Sequence, residues 1–539
     1  MAIVLAVLVM FFYSSIMQKY YPQTKKTVSF ATKPQTVSSY QSTVSTVSLP
    51  EQTVSFQKTI SESSISKIST REIDYQLSDM GGFIKAININ KHNELGNETL
   101  YDINSIRGAI FFTNWFWLKD EDIIEQYNRI ILENRAEYTV SLRNGIQITK
   151  VYTPKDNYGL SLEIKIANNS DAIFKGTYSI VGVSSIATNT SDDIRFAQGL
   201  VSVANKIKRF RPGAVKTQGD IIPGAIDWVA MQNKYFSLVA KPYQPVDLST
   251  IQRVSADSRN PNIYIELQSE AIIEPRSSVT HKFLLYSGPN DPELMALHKA
   301  GIEKSVSLGV FGDISRLLLL GLRWFYKVSR NYGVAIILLA FFVSLLLYPL
   351  TFLSTKSMRQ IQLLQPKIDK LRKEFKDNPQ KLNKEIMEMY KKYKVNPFGG
   401  CLPMLLQMPI FIALYQALIR AIELKNARFL WIKDLSMPDK AFFLPFSSLI
   451  GRNIPVNILP ILMAITMFFQ QKISAPASKV NDKEDVMQQQ QKMMAVLMPV
   501  MFGAIFYNMP SGLVLYWFIN TLFMLFQQIK MAKSFHVEN

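Results

Sequence analysis

The sequence predicts a polytopic α-helical membrane protein with six spanning helices, joined to an all-β domain outside the bilayer. Three observations carry that prediction. Strongly apolar runs are confined to one segment at the start and to about the last 200 positions of the 539-residue chain. Between them lies a long region of short, alternating runs broken by turn residues. Between the second and third apolar runs sits a dense block of positive charge.

The spans come first. A spanning helix needs about 20 mostly apolar residues to cross about 30 Å of hydrocarbon. Residues 2–17 are the first candidate; no basic stretch precedes them and no small-residue cleavage site follows, so 1–18 reads as an uncleaved anchor rather than a signal peptide. The others are 334–350, 401–422, 456–471, 493–507 and 513–528, and the turn sequence Asn508-Met-Pro-Ser-Gly512 makes the last two an antiparallel hairpin. Pro403, Pro409 and Pro460 are tolerable inside spans because neighbouring helices can satisfy the freed carbonyls.

Orientation follows from charge. Residues 355–397 hold twelve Lys and Arg against five Asp and Glu, which places that loop in the cytoplasm. Six spans then put both termini inside and residues 19–330 outside. The absence of Lys or Arg before the first span, with Lys19, Lys25 and Lys26 after it, runs against this; a start lacking a few basic residues would account for it. Within the loop, apolar residues at helical spacing predict two helices, about 356–375 and 379–392, packed as a hairpin. Its cationic surface, including Lys370, Arg372, Lys373, Lys376, Lys391 and Lys392, suits ribosomal RNA or anionic lipid headgroups as well as plain solvation.

Outside the membrane, residues 19–70 are rich in Ser, Thr and Val and read as a flexible linker, with too little apolar area to offset ordering entropy. Residues 71–305 carry alternating runs such as FIKAINI (83–89) and LSLEIKIA (160–167), with turn residues at roughly ten-residue intervals, which predicts a β-sandwich. Residues 306–330 mix leucines and Trp324 with Arg316, Arg323, Lys327 and Arg330, as a helix at a headgroup boundary does. The core spans 331–530 and a tail 531–539.

Composition excludes several classes. Cys401 has no partner in the chain and the four histidines are scattered, so neither a disulfide framework nor a Cys-based zinc site is expected. No Ser/His/Asp set or phosphate loop is evident, so no enzyme, cofactor or metal is expected. No inverted repeat supports a transporter. The net charge of +18 suits nucleic acid, anionic lipid or a ribosome surface without choosing among them.

The stretch VNPFGGCLPMLLQMPIF (395–411) resembles the YidC/Oxa family of membrane protein insertases, as do LQPKI (364–368), LWIKDL (430–435), MFFQ (467–470) and the segment 506–517 with PSGLVLY (510–516). These run in family order across about residues 312–530, and 151–167 with IDWVAM (226–231) resemble the periplasmic β-supersandwich of Gram-negative-type members. The resemblance implies a five-helix insertase core enclosing a hydrophilic groove open to cytoplasm and lipid, in the inner membrane. Its implied partners are nascent membrane proteins, Sec translocon components, the ribosome and anionic phospholipids, with no small-molecule substrate. By position in the matched motifs, the client-facing slide comprises Met408, Pro409 and Phe411, then Ile505 and Phe506, then Tyr516 and Trp517. One departure stands out: Ser344 occupies the place of the family's intramembrane arginine, and Ala340 that of a nearby hydroxyl. Groove polarity is therefore expected from neutral groups, Gln407 and Tyr516 foremost. A docking or assembly factor with an idle groove is the alternative.

Overall fold

The computed structural model describes residues 65–537 except 91–97, 103–108, 116–126, 133, 143, 187–194, 217–218, 254–262, 376–377, 394, 396–401, 445–453 and 475–485. The expected anchor at 1–18 and most of the expected linker lie outside the described residues.

The extracytoplasmic region is built from β1 (Ile65–Ser69), β2 (Ile73–Ser78), β3 (Phe83–Ile89), β4 (Glu98–Asp102), β5 (Thr113–Trp115), β6 (Asn128–Leu132), β7 (Arg135–Ser141), β8 (Ile146–Lys155), β9 (Gly159–Asn168), β10 (Phe174–Ser184), β11 (Gln198–Val203), β12 (Lys206–Phe210), β13 (Asp220–Pro223), β14 (Ile226–Gln232), β15 (Phe236–Pro242), β16 (Leu248–Arg253), β17 (Ile263–Ile273) and β18 (Ser277–Pro289). They form three antiparallel sheets in the orders β1-β2-β3-β4, β13-β16-β17-β10-β5 and β12-β11-β14-β15-β18-β9-β8-β7-β6. Period two decides which residues face inward. On β9 Leu160, Leu162, Ile164 and Ile166 are buried, and across the β18 ladder Phe283 and Leu285 join them in a core shared by all three sheets. β1 falls inside the stretch expected as linker: Ile68 and Ser66 face inward, and pairing with β2 orders a sequence whose composition alone predicts none.

One inward position is charged. Lys150 lies fully buried between Ile148 and Tyr152 on β8, and its ammonium donates to the carbonyls of Gly81 (2.7 Å), Phe111 (3.0 Å) and Gly82 (3.4 Å). Burial pushes its pKa down to about 7. Gly81 and Gly82 both sit at positive φ, a turn conformation that glycine adopts freely and that presents these carbonyls.

The remainder is helical: α1 (Gly312–Ser329), α2 (Tyr332–Leu346), α3 (Tyr348–Glu374), α4 (Pro379–Lys392), α5 (Leu402–Arg420), α6 (Ile458–Ser474), α7 (Val486–Phe506) and α8 (Ser511–Val537). Where a helix ending near 350 and a separate cytoplasmic helix from 356 were expected, α3 runs unbroken from Tyr348. Pro349 sits in its first turn, where a missing N–H removes no bond, and Pro366 is absorbed within it. α2 and α3 meet at a 62° bend. Ser511–Met531 is long and apolar enough to cross a membrane as one helix, and the bent α2–α3 pair passes as a broken span; Ile458–Ile473 and Val496–Phe506 are apolar but shorter. α3 and α4 pack through Leu364 and Ile368 against Ile386, Met389 and Tyr390.

Candidate functional site

The helical core draws buried residues from α1, α2, α5, α6, α7 and α8. Asn331 caps α2 through Gly333 and Val334 N–H groups, and Gly333 lets Phe429 approach so closely that an added Cβ would lie 2.1 Å from its ring. This contact fixes α2 against the loop after α5. α2, α5 and α8 then share an apolar core that includes Ile336, Leu339, Leu414, Leu418, Leu513 and Val514.

A line of polar side chains runs through that apolar bundle. Ser344 of α2 donates to the Asn520 side-chain carbonyl at 3.0 Å. Seven residues on, Thr351 of α3 meets the Gln527 side-chain oxygen at 3.4 Å. Two turns of α8 separate Asn520 from Gln527, so both contacts fall on one face of α8, while their partners Ser344 and Thr351 lie on either side of the α2–α3 bend. In the other direction along α8, one turn before Asn520, Tyr516 adjoins Gln407 of α5. Among the described residues, the Tyr516 hydroxyl and Gln407 Nε2 complete no hydrogen bond of ordinary geometry, and neither does Gln527 Nε2, although all three are buried. From Tyr516 to Gln527 the seam extends about 16 Å at 1.5 Å per residue, roughly half the hydrocarbon thickness.

Sequence reasoning selected Ser344, Gln407 and Tyr516; the structure pairs Ser344 with Asn520 and sets Tyr516 beside Gln407. It did not select Asn520, Thr351 or Gln527; the seven-residue spacing of Asn520 and Gln527 along α8 was the available signal. Thr466 bonds to its own helix through the Leu462 carbonyl. Gln416 packs against Gly309, outside the seam.

The residues assigned to the slide form an aromatic cluster beside the seam. Phe411 meets Trp517 edge-on at 4.8 Å between centroids and Phe506 at 6.1 Å, while Phe506 and Trp517 are 5.6 Å apart; Phe502 stacks on both. Phe506 and Tyr516 are buried, while Met408, Pro409, Phe411, Ile505 and Trp517 are half-buried. Val496, Leu497 and Val500 of α7 and Ile461, Ile465, Phe468 and Phe469 of α6 are the exposed apolar surface nearby in sequence. On the α3–α4 hairpin, Lys370, Lys391 and Lys392 are exposed and Arg372 is half-buried; the Lys373 and Lys376 side chains lie outside the described residues.

The β region docks beside the C-terminal end of α5 through ion pairs. Arg323 of α1 reaches Asp291 (2.8 Å), Glu423 (2.8 Å) and Glu293 (3.4 Å). Burial opposes the guanidinium charge, but Glu423 and Asp291 outweigh it and raise the Arg323 pKa further. Lys425 pairs with Glu98 of β4 and lies over the Tyr235 ring, and Ile422 enters the core of the β region. Among the described residues, no cluster of three or more His, Cys, Asp or Glu could hold a metal.

The two halves of this architecture match family models end to end. Residues 66–320 match the YidC periplasmic domain and residues 324–538 the 60Kd inner membrane protein. The chain is 33% identical over 406 residues to the membrane protein insertase YidC of Geotalea daltonii, covering 75% of this chain and 72% of that one. It is 34% identical over 403 residues to its counterpart from Pelobacter propionicus, covering 74% and 71%. A crystal structure of an active YidC insertase aligns over 87% of this chain and 93% of that one, at a TM-score of 0.37 and 18% identity. The chain belongs to the YidC family of membrane protein insertases.

Proposed function

We propose that this protein inserts integral membrane proteins into the bacterial inner membrane and assists their folding, using the polar seam between α2–α3, α5 and α8 as the path for a client's polar segment. The observation that carries this is the run of buried polar side chains at Ser344, Thr351, Gln407, Tyr516, Asn520 and Gln527 inside an apolar bundle, with Gln527 Nε2 left without a hydrogen-bond partner among the described residues. A buried donor without a partner costs about 1–3 kcal/mol. A client's carbonyls or carboxylate oxygens relieve that cost while crossing, so each interaction lowers the barrier to moving polar backbone through hydrocarbon. No fixed charge is needed, consistent with Ser344 at the arginine's place. The client's apolar helix leaves along Met408, Pro409, Phe411, Ile505 and Trp517, where pliable Met and flat aromatic surfaces accept many sequences. No covalent step and no cofactor take part.

The full reading has six spans, the first at 1–18, with both termini in the cytoplasm and residues 19–330 in the periplasm. The basic hairpin stands in the cytoplasm and supports contact with a ribosome or anionic phospholipid through Lys370, Arg372, Lys373, Lys376, Lys391 and Lys392; the periplasmic domain is available to Sec translocon components. The test is insertion of a two-span client by Gln407→Leu, Tyr516→Phe and the double variant, each checked for folding. Insertion should fall about tenfold in the double variant, the equivalent of one lost donor contact. Unchanged insertion by a folded double variant removes the seam from the mechanism.

A further inference from the structure

Where α1 crosses the outer end of α5, a cleft of about 40 Å³ is lined by Arg316, Leu319, Leu320 and Arg323 on one side and by Ala417 and Arg420 on the other. Its three carboxylates, Asp291, Glu293 and Glu423, all pair with Arg323. The three arginines and three carboxylates balance in formal charge, but two of the guanidiniums, Arg316 and Arg420, make no carboxylate contact among the described residues. Arg316 is exposed, and Arg420 is half-buried with a bond from its guanidinium to the Ser307 carbonyl. Arg209 on the edge strand β12, next to Lys206, Lys208 and Arg211, lies within electrostatic range of Arg420 and adds positive charge on that side. A partly desolvated guanidinium without a counter-ion is unfavourable, and its planar donor fork fits a phosphate.

The helix itself indicates which phosphate. At about 100° per residue, Arg316, Arg323 and Lys327 fall on one stripe of α1, while Leu317, Leu320, Trp324 and Val328 form an adjoining stripe. All four of the latter are exposed, although Ser315, Leu318 and Leu322 on the opposite face are buried against the core. An exposed apolar stripe with tryptophan, flanked by arginines, is the arrangement of a helix lying in the headgroup layer.

We propose that this cleft binds the headgroup phosphate of an anionic phospholipid from the outer leaflet of the membrane. Arg316 and Arg420 hold the phosphate, and the stripe of Leu317, Leu320 and Trp324 lies along the acyl chains. The site rests on reading α1 as lying at the membrane surface, but it is separate from the seam.

The test uses the full-length protein in neutral detergent, with bound lipid counted by native mass spectrometry during titration with dioctanoyl-phosphatidylglycerol, dioctanoyl-phosphatidylcholine or inorganic phosphate. Phosphatidylglycerol should bind, and Arg316→Gln and Arg316→Gln/Arg420→Gln should weaken it progressively, by about tenfold or more in the double variant. Lys327→Gln removes the same charge from the same stripe outside the cleft and should leave binding within about twofold. Equal binding by the double variant, an equal loss from Lys327→Gln, or displacement of the lipid by equimolar inorganic phosphate each overturn the proposal; the last assigns the cleft to free phosphate. Because lipid binding is read directly, its failure leaves the insertion assay on the seam variants untouched, and the reverse also holds.

Discussion

Arg323→Met is the perturbation whose size follows most directly from the geometry. The Arg323 side chain is 31% exposed, Asp291 16% and Glu423 13%, so the two short pairs lie between surface and interior. Glu293 is 55% exposed and contributes little. Removing one partner of a buried pair costs about 3–5 kcal/mol and of a surface pair about 0–1 kcal/mol; at this exposure the expected loss is about 2 kcal/mol. The loss falls on the joint between the β region and the helices, because Asp291 follows β18 and Glu423 follows α5. Opening of that joint should become about 30-fold more frequent. Hydrogen exchange of the full-length protein in detergent, read on peptides covering 289–297 and 421–427, measures it. A cycle with Glu423→Gln should give a coupling energy of about 1 kcal/mol. Unchanged exchange in Arg323→Met, or strictly additive single variants, would refute the clamp.

Three further outcomes are expected. An unfolded lysine holds its proton to about 10.5 while Lys150 releases it near 7, so between those values the unfolded state binds more protons and the β region gains stability as pH rises. Denaturant midpoints at pH 6.5 and 9.5 should therefore differ in the native protein and converge in Lys150→Met; an equal pH response in both contradicts the assignment. Gly333→Ala should destabilise despite alanine's better helix propensity, because its Cβ meets the Phe429 ring, and Phe429→Ala should restore part of the loss in thermal unfolding. Gln527→Leu should reduce insertion of a client with a polar translocated tail more than of a uniformly apolar one; an equal effect on both clients speaks against a donor role.

The strands were legible because inward residues alternate: Phe83–Ile89 appears in the structure with the bounds its sequence pattern predicts. β1 was hidden because a five-residue run, ISKIS, gains its order from β2 rather than from its own composition. The unbroken α3 was not legible because Pro349 and Pro366 disfavour a continuous helix in sequence, yet sit where the helix accommodates them. In the seam, Ser344, Gln407 and Tyr516 were visible as polar residues in apolar runs. Thr351 and Gln527 were not, because both stand where apolar runs give way to polar sequence. The Arg323 clamp joins residues 32 and 100 positions away, a distance no local pattern spans.

Depletion of this protein in its own host, followed by protease protection of a short two-span client, tests the central claim most directly. One client carries an acidic translocated tail and the other the same tail neutralised. If the neutral groups of the seam carry insertion, both clients insert only while the protein is present. If neither client depends on it, the protein is an assembly or docking factor and the seam is structural.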